Sequence, residues 1–307
     1  MRLWDRPGQG SSERGRPLEQ PKLLPRHGRR VPLTELIYDI GMHDGEDSEF
    51  YLRKGFRVVA VEADPEICRT TAERLRTFLD SGQLTIVKRA IAPARGPLTF
   101  YRSETSGWGS VVSKWAYDNA ALGVASEPIT VDGITLADLV GEYGNAFYMK
   151  VDIEGMDRRA LESLAATSVR PKYVSMETSF ARDPSFDAVR ADFEVLTSLG
   201  YDRFKIINQT QVEDQLPPQP ALAGSYVPIR FTSGASGLFG EESPGPWLTR
   251  ESALAQFARF VRWKWLEVRL YRNMRYYLLY CKIMFRLTGR YSNLGWYDIH
   301  AKHSSVD

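Results

Sequence analysis

Three places in this sequence set carboxylates where a chain must turn, two of them beside glycines. The first is Asp39-Ile40-Gly41-Met42-His43-Asp44-Gly45, followed at once by Glu46, Asp47 and Glu49. Gly41 and Gly45 permit a tight turn and a close backbone approach to a ligand. The second is Glu62, which closes a later apolar run and can accept two hydrogen bonds from ribose hydroxyls. The third is Lys150-Val151-Asp152-Ile153-Glu154-Gly155-Met156-Asp157. There a lysine stands two residues before an aspartate, hence on the same side of an extended strand, and can hold that carboxylate ionised. Asp152 and Glu154 have the chemistry of a general base or of a group that orients a hydroxyl. His43 is an alternative base, because an unperturbed imidazole titrates near neutral pH.

These groups can act together only if the fold brings them to one edge, and the pattern of the chain predicts that. The apolar run 36–40 stops at Gly41 and suits a buried parallel strand. A helix over 46–54, a strand over 56–62 and a helix over 66–79 follow, the last opened by Asp64-Pro65. Further strands are expected at 84–87, 147–151, 173–176 and 201–207, with helices at 157–164 and 186–199 between them; 97–101 is extended as well. Strands alternating with helices of this length imply an α/β fold, a doubly wound and mostly parallel sheet with helices on both faces. In such sheets ligands bind beyond the carboxyl ends of the strands, where Gly41, Glu62 and Asp152 fall. Residues 208–247, rich in Pro, Gly, Ser and Gln, read as a long loop with one strand at 226–231. A long or broken helix follows over 249–288.

The first loop also separates two kinds of nucleotide cofactor. A pyrophosphate favours a glycine-rich, acid-free helix start spaced G-x-G-x-x-G. Here the spacing is Gly-x-x-x-Gly, and Asp44, Glu46, Asp47 and Glu49 crowd the same turn. Four carboxylates repel phosphate but suit a sulfonium and an ammonium, so the loop points to S-adenosylmethionine rather than a nicotinamide dinucleotide. The plainer reading is that these acids only complement a helix dipole. Asp39, Gly41, Gly45, Asp47, Glu62 and Asp152 are the expected cofactor contacts.

The segment Lys150-Val151-Asp152-Ile153-Glu154-Gly155-Met156-Asp157 resembles the Lys-x-Asp-x-Glu-Gly-x-Glu signature of the FkbM-type methyltransferases. Ile129-Thr130-Val131-Asp132-Gly133-Ile134-Thr135-Leu136-Ala137-Asp138-Leu139 is similar to that family's Thr-Leu-Asp-type approach segment, the loop at Asp39 to its Asp-x-Gly-Ala-x-x-Gly motif, and Glu62-Ala63-Asp64-Pro65 to its second-strand carboxylate. The match covers roughly residues 36–180, with Met42, His43 and Asp157 standing where Ala, Asn and Glu are usual. The resemblance implies a Rossmann-like class I methyltransferase fold, S-adenosylmethionine as cofactor, and an O-methyltransferase acting on a hydroxyl of a sugar, polysaccharide or secondary metabolite. The acceptor is then a small molecule or carbohydrate, with Asp152, Glu154, Lys150 and His43 as the expected catalytic groups. Capping of the next helix by Asp152 or Glu154, and a purely structural ion pair for Lys150, are the plainer alternatives. Asp152, Glu154 and Glu177 could together offer oxygens to Mg²⁺, but a metal-free site is the default. In the loop Glu104-Thr105-Ser106-Gly107-Trp108-Gly109-Ser110, Trp108 is either a lid or sugar-stacking surface, or a side chain folded onto the core.

Composition bounds the rest. The chain has 307 residues and a formal net charge of +2, unevenly spread. Residues 1–30 carry eight Arg and Lys against three acids, and residues 252–289 eight against one, which leaves about −10 for the body. Nucleic acid is not the expected partner of such a body. Cys68 and Cys281 have no ligand-like spacing, which favours a reducing compartment; with no signal peptide or spanning segment, a cytoplasmic location is expected. The expected division is a basic disordered tail at 1–30, a methyltransferase domain at 31–247, and a basic aromatic helical extension at 248–307. That extension can pack on its own domain, mediate self-association, or lie on a membrane surface. A catalytically idle scaffold that works through this helix is the alternative function.

Overall fold

The computed structural model describes residues 35–104, 108–121, 123–181, 183, 185–271, 274–288 and 296–305. The basic tail at 1–30 and Thr105, Ser106 and Gly107 of the Trp108 loop lie outside the described residues. The first half of the unit is built from β1 (Leu36–Ile40), α1 (Glu46–Arg53), β2 (Arg57–Glu62), α2 (Pro65–Arg74), α3 (Arg76–Asp80), β3 (Leu84–Lys88), β4 (Ala90–Ile91), β5 (Gly96–Ser103), α4 (Ser113–Ala121), β6 (Ser126–Ile134) and α5 (Leu136–Tyr143). The second half adds β7 (Tyr148–Val151), α6 (Asp157–Ser163), β8 (Tyr173–Glu177), α7 (Phe186–Ser198), β9 (Arg203–Asn208), α8 (Arg250–Tyr271), α9 (Met274–Thr288) and β10 (Tyr297–Lys302).

Seven strands form the main sheet in the order β3-β2-β1-β7-β8-β10-β9. The pairs β2–β3, β1–β2, β1–β7 and β7–β8 are parallel, and β10 is antiparallel to both neighbours. The expected doubly wound, mostly parallel sheet is therefore present, with its neighbours switching at β1–β7. β1, β2, β7 and β8 are apolar runs because both faces of the sheet are covered. Tyr38, Ile40, Met149, Val151, Val174 and Met176 belong to one core cluster; Ile37, Val58, Ala60, Tyr148 and Tyr173 belong to the other. A smaller sheet, β4-β6-β5, stands beside it.

Three expectations need correction. The predicted helix over 66–79 breaks at Leu75 into α2 and α3. Residues 226–231 form no strand; Val227 and Phe231 bury their side chains in the α1-side core instead, Phe231 meeting Phe50 edge-on at 5.1 Å. The boundary drawn at 247/248 cuts through packed structure. Ala253 and Phe257 of α8 lie in the main core, and the terminal peptide is an inner strand of the sheet, with Tyr297 stacked on Phe260 at 4.7 Å. The 297–302 strand alternates in the way a sheet requires: Tyr297, Ile299 and Ala301 enter the core, while Asp298 and His300 point to the other face.

Candidate active site

The carboxyl ends of β1, β2, β7 and β8 open into a cleft of about 810 Å³. The turn after β1 sets its shape. Gly41 has φ +87°, and a Cβ there would stand 1.8 Å from the Asp152 carbonyl, so only glycine lets the first turn lie against the end of β7. The Gly41 and Met42 amides donate to the Val61 carbonyl at 3.0 and 2.9 Å, which ties the same turn to β2. His43 and Glu154 hold φ values of 52° and 50° in the two loops that flank the cleft. A left-handed backbone costs a non-glycine residue about 1–3 kcal/mol, and such strain collects at functional sites.

Gly41, His43, Asp47, Glu62, Lys150, Asp152 and Glu154 all line this cleft, so seven of the nine residues expected at the site meet there. Asp39 and Gly45 do not. Asp39 is wholly buried behind the loop, its carboxylate accepting from Ser48 Oγ at 2.6 Å and Lys150 Nζ at 3.1 Å. Gly45 faces α2, where a Cβ would meet Thr71 at 2.7 Å. Both residues shape the loop.

Lys150 also departs from expectation, because its partner is not Asp152. Its ammonium donates to Asp39 at 3.1 Å and to the Gly41 carbonyl at 2.9 Å, and stands 3.5 Å from Asp47. Burial alone would push this amine down; the charges of Asp39, Asp47 and Asp152 outweigh it and hold the amine well above its ordinary value. These contacts tie the end of β7 to the turn after β1 and to α1.

The acidic turn has internal partners too. Both oxygens of Asp47 accept from the Ser236 amide, at 3.1 and 2.9 Å, and burial pushes its carboxyl up to about 6. Glu46 receives the Thr232 amide at 2.9 Å and the Thr232 hydroxyl. Glu49 pairs with Arg74, and Asp44 accepts from the Glu46 amide at 3.1 Å. Segment 232–236 is thus clamped onto the start of α1 and becomes one wall of the cleft.

Glu62 accepts from the His43 amide at 2.9 Å on one oxygen and from the Asp64 amide at 2.8 Å on the other. Burial raises its carboxyl above the usual range, opposed by those two amides. Each carboxylate oxygen offers two acceptor directions. The carboxylate lines the cleft, where its acceptor capacity suits vicinal hydroxyls. The cleft volume lies in the range of cofactor pockets, and its acidic turn suits a cation. The residues present therefore fit a ligand that carries both a cation and vicinal hydroxyls, as S-adenosylmethionine does.

Neither Asp152 nor Glu154 caps α6, whose N-cap is Met156 with no side-chain bond. Asp157 braces that turn instead, accepting from the amides of Ile153 at 3.2 Å and Gly155 at 3.1 Å. Burial, then the charge of Asp152, pushes Asp157 up to about 7. Gly155 has φ +96°, and a Cβ there would stand 2.4 Å from the Trp115 ring. Trp108 lines the cleft at 36% exposure; its loop is anchored where Ser110 Oγ donates to the Glu154 carbonyl at 2.8 Å.

Sequence reasoning missed the far wall. Asp298 and Trp296, from the tail, and Gln209 line the cleft beside Glu177. Asp298 pairs with Glu177 in register across β10–β8 and accepts from Gln209 Nε2 at 2.6 Å. Burial, then the charge of Asp152, holds both Glu177 and Asp298 well above the usual carboxyl range. The alternation at 297–301 was the available signal. Among the described residues no three His, Cys, Asp or Glu side chains are grouped as metal ligands.

A family model described as the methyltransferase FkbM domain matches residues 39–203. Among solved structures, the chain is similar to an FkbM methyltransferase from Methylobacillus flagellatus KT, with 16% identity, 57% of this chain and 40% of that one covered, and a TM-score of 0.38. It is also similar to a precorrin-6y C5,15-methyltransferase from Geobacter metallireducens GS-15 (12% identity, 58% and 69% covered, TM-score 0.33). A third is the fibrillarin of Aeropyrum pernix, whose structure holds natively bound S-adenosylmethionine (11% identity, 58% and 63% covered, TM-score 0.30). No curated protein matches the chain.

Proposed function

The chain belongs to the FkbM methyltransferase family, and from that premise we propose that it transfers a methyl group from S-adenosylmethionine to a hydroxyl of a small-molecule or carbohydrate acceptor. The observation that carries this reading is the convergence of Glu62, Asp152 and Glu154 on one cleft, at the ends of β2 and β7. When bound, the cofactor supplies an electrophilic methyl on a sulfonium that leaves as a neutral thioether.

Glu62 would hold the ribose hydroxyls through its carboxylate oxygens. The turn fixed by Gly41 and Lys150 lies against the end of β7 and would align a bound cofactor with Asp152; alignment of this kind supplies much of the acceleration in a displacement. Asp152 accepts the acceptor hydroxyl's proton as its oxygen bonds to the methyl carbon. Glu177 and Asp298 hydrogen-bond further polar groups of the acceptor, and Trp108 and Trp296 offer faces for a sugar ring. Glu154 and His43 orient the same oxygen from the loops whose backbone is strained.

The test is an acceptor screen with labelled methyl donor against sugars, hydroxylated metabolites and amines. Label transferred to a hydroxyl supports the reading, with Asp152→Asn lowering turnover by about 10²-fold or more while cofactor affinity changes little. Label transferred only to nitrogen or carbon would overturn the O-methyl assignment.

A further inference from the structure

Of the twelve large hydrophobic side chains exposed among the described residues, six lie in one stretch: Trp263, Trp265, Tyr276, Leu278, Leu279 and Ile283. Ala253, Phe257, Phe260 and Val261 fix the first half of α8 to the sheet. Beyond Val261 no described residue of α8 or α9 joins a core cluster, and α9 packs on α8 more than on any other element. Over residues 262–288 the sequence holds seven Arg and Lys against one acid, Glu267.

The spacing on α9 organises these groups. Tyr276, Leu279 and Ile283 recur at helical intervals and form one apolar stripe. Arg275, Lys282 and Arg286 form a basic stripe alongside it, all three exposed. On α8 the Arg269 guanidinium lies over the Trp265 ring at 5.1 Å, so the same pairing of cation and aromatic continues there.

We propose that this two-helix arm docks on an anionic lipid surface. Tryptophan and tyrosine settle at headgroup level, aliphatic side chains enter the acyl boundary, and Arg and Lys reach back to acidic headgroups. The arm lies on the surface and does not span it, since no helix among the described residues is long and apolar enough to cross a membrane. The charge argues against the other occupants. A second copy of the arm would bring like charge against like charge. RNA would leave Leu278, Leu279 and Ile283 without a partner, because aliphatic side chains offer bases nothing to stack on. Docking here would bring the methyltransferase to acceptors held at a membrane surface. The proposal does not depend on which oxygen is methylated.

Co-sedimentation of the full chain with vesicles tests it. One set is pure phosphatidylcholine and the other contains one-third phosphatidylglycerol. The expected result is binding to the anionic set alone, weakened by high salt. Arg275→Glu with Lys282→Glu and Arg286→Glu, and separately Trp263→Ala with Trp265→Ala, should each lower partitioning about tenfold or more. Thermal midpoint and cofactor affinity should stay at wild-type values in both variants. No binding to anionic vesicles, equal binding to both sets, or a concentration-dependent oligomer abolished by the same substitutions would overturn the proposal. So would tighter binding of an RNA oligonucleotide than of the anionic vesicles.

Discussion

Replacing Lys150 by methionine removes the only cation among the described residues that pairs with Asp39 and Asp47, two carboxylates buried beneath the first turn. The methionine side chain fills similar volume, so the loss is chiefly electrostatic. Breaking a buried pair by deleting one partner costs about 3–5 kcal/mol, because the other charge is left without compensation. In a domain of this size each kcal/mol lowers the thermal midpoint by about 2–4 °C, which gives a fall of roughly 6–20 °C. The Gly41 carbonyl also loses its donor, so the turn relaxes and cofactor affinity falls in parallel. Calorimetric melting with and without S-adenosylmethionine reads both effects. Adding Asp39→Asn to Lys150→Met removes one orphaned charge and should recover part of the midpoint. A midpoint within about 2 °C of wild type would refute the structural role given to Lys150. If turnover then vanished with stability intact, the lysine would act on the reacting atoms instead.

Two further outcomes follow from the same geometry. Glu62→Gln keeps the shape but turns one oxygen into a donor facing the His43 amide and weakens the ribose contact. Hydrogen bonds to charged groups contribute about 1.5–3 kcal/mol each, so a loss of about 2–4 kcal/mol, or 30- to 1,000-fold in affinity, is expected by titration calorimetry; an affinity within threefold of wild type would remove Glu62 from the site. Asp157, held up to about 7 when folded against an ordinary 3.8, makes the folded state bind more protons between those values. Stability therefore falls as pH rises through this window. Asp157→Asn should flatten that part of a melting-temperature profile, and an unchanged slope would contradict the assignment.

Much of the fold was legible because the parallel strands are buried on both faces and read as apolar runs with abrupt stops. The stops themselves, at Gly41, Glu62 and Asp152, marked the cleft, since strand ends and ligand sites coincide in such sheets. What could not be read was partnership across distance. Asp47 finds the Ser236 amide 189 residues away, and Lys150 turns toward Asp39 rather than the nearby Asp152. Those choices depend on how α1 sits on the sheet, which periodicity does not encode. Asp298 was hidden for a related reason: a six-residue strand after a long helix gives a weak local signal, and its place between β8 and β9 comes from long-range pairing. Residues 226–231 erred in the opposite direction, because apolar spacing that packs against α1 resembles spacing that builds a strand.

On the proposed function, the cleft at Gly41, Glu62 and Asp152 binds S-adenosylmethionine. Titration calorimetry of the full, folded chain with S-adenosylmethionine and with its demethylated product tests this most directly. One site per chain for both ligands, competing with each other and weakened by Glu62→Gln, is the predicted result. Absence of heat and of competition for either ligand, in protein that melts cooperatively, would contradict it.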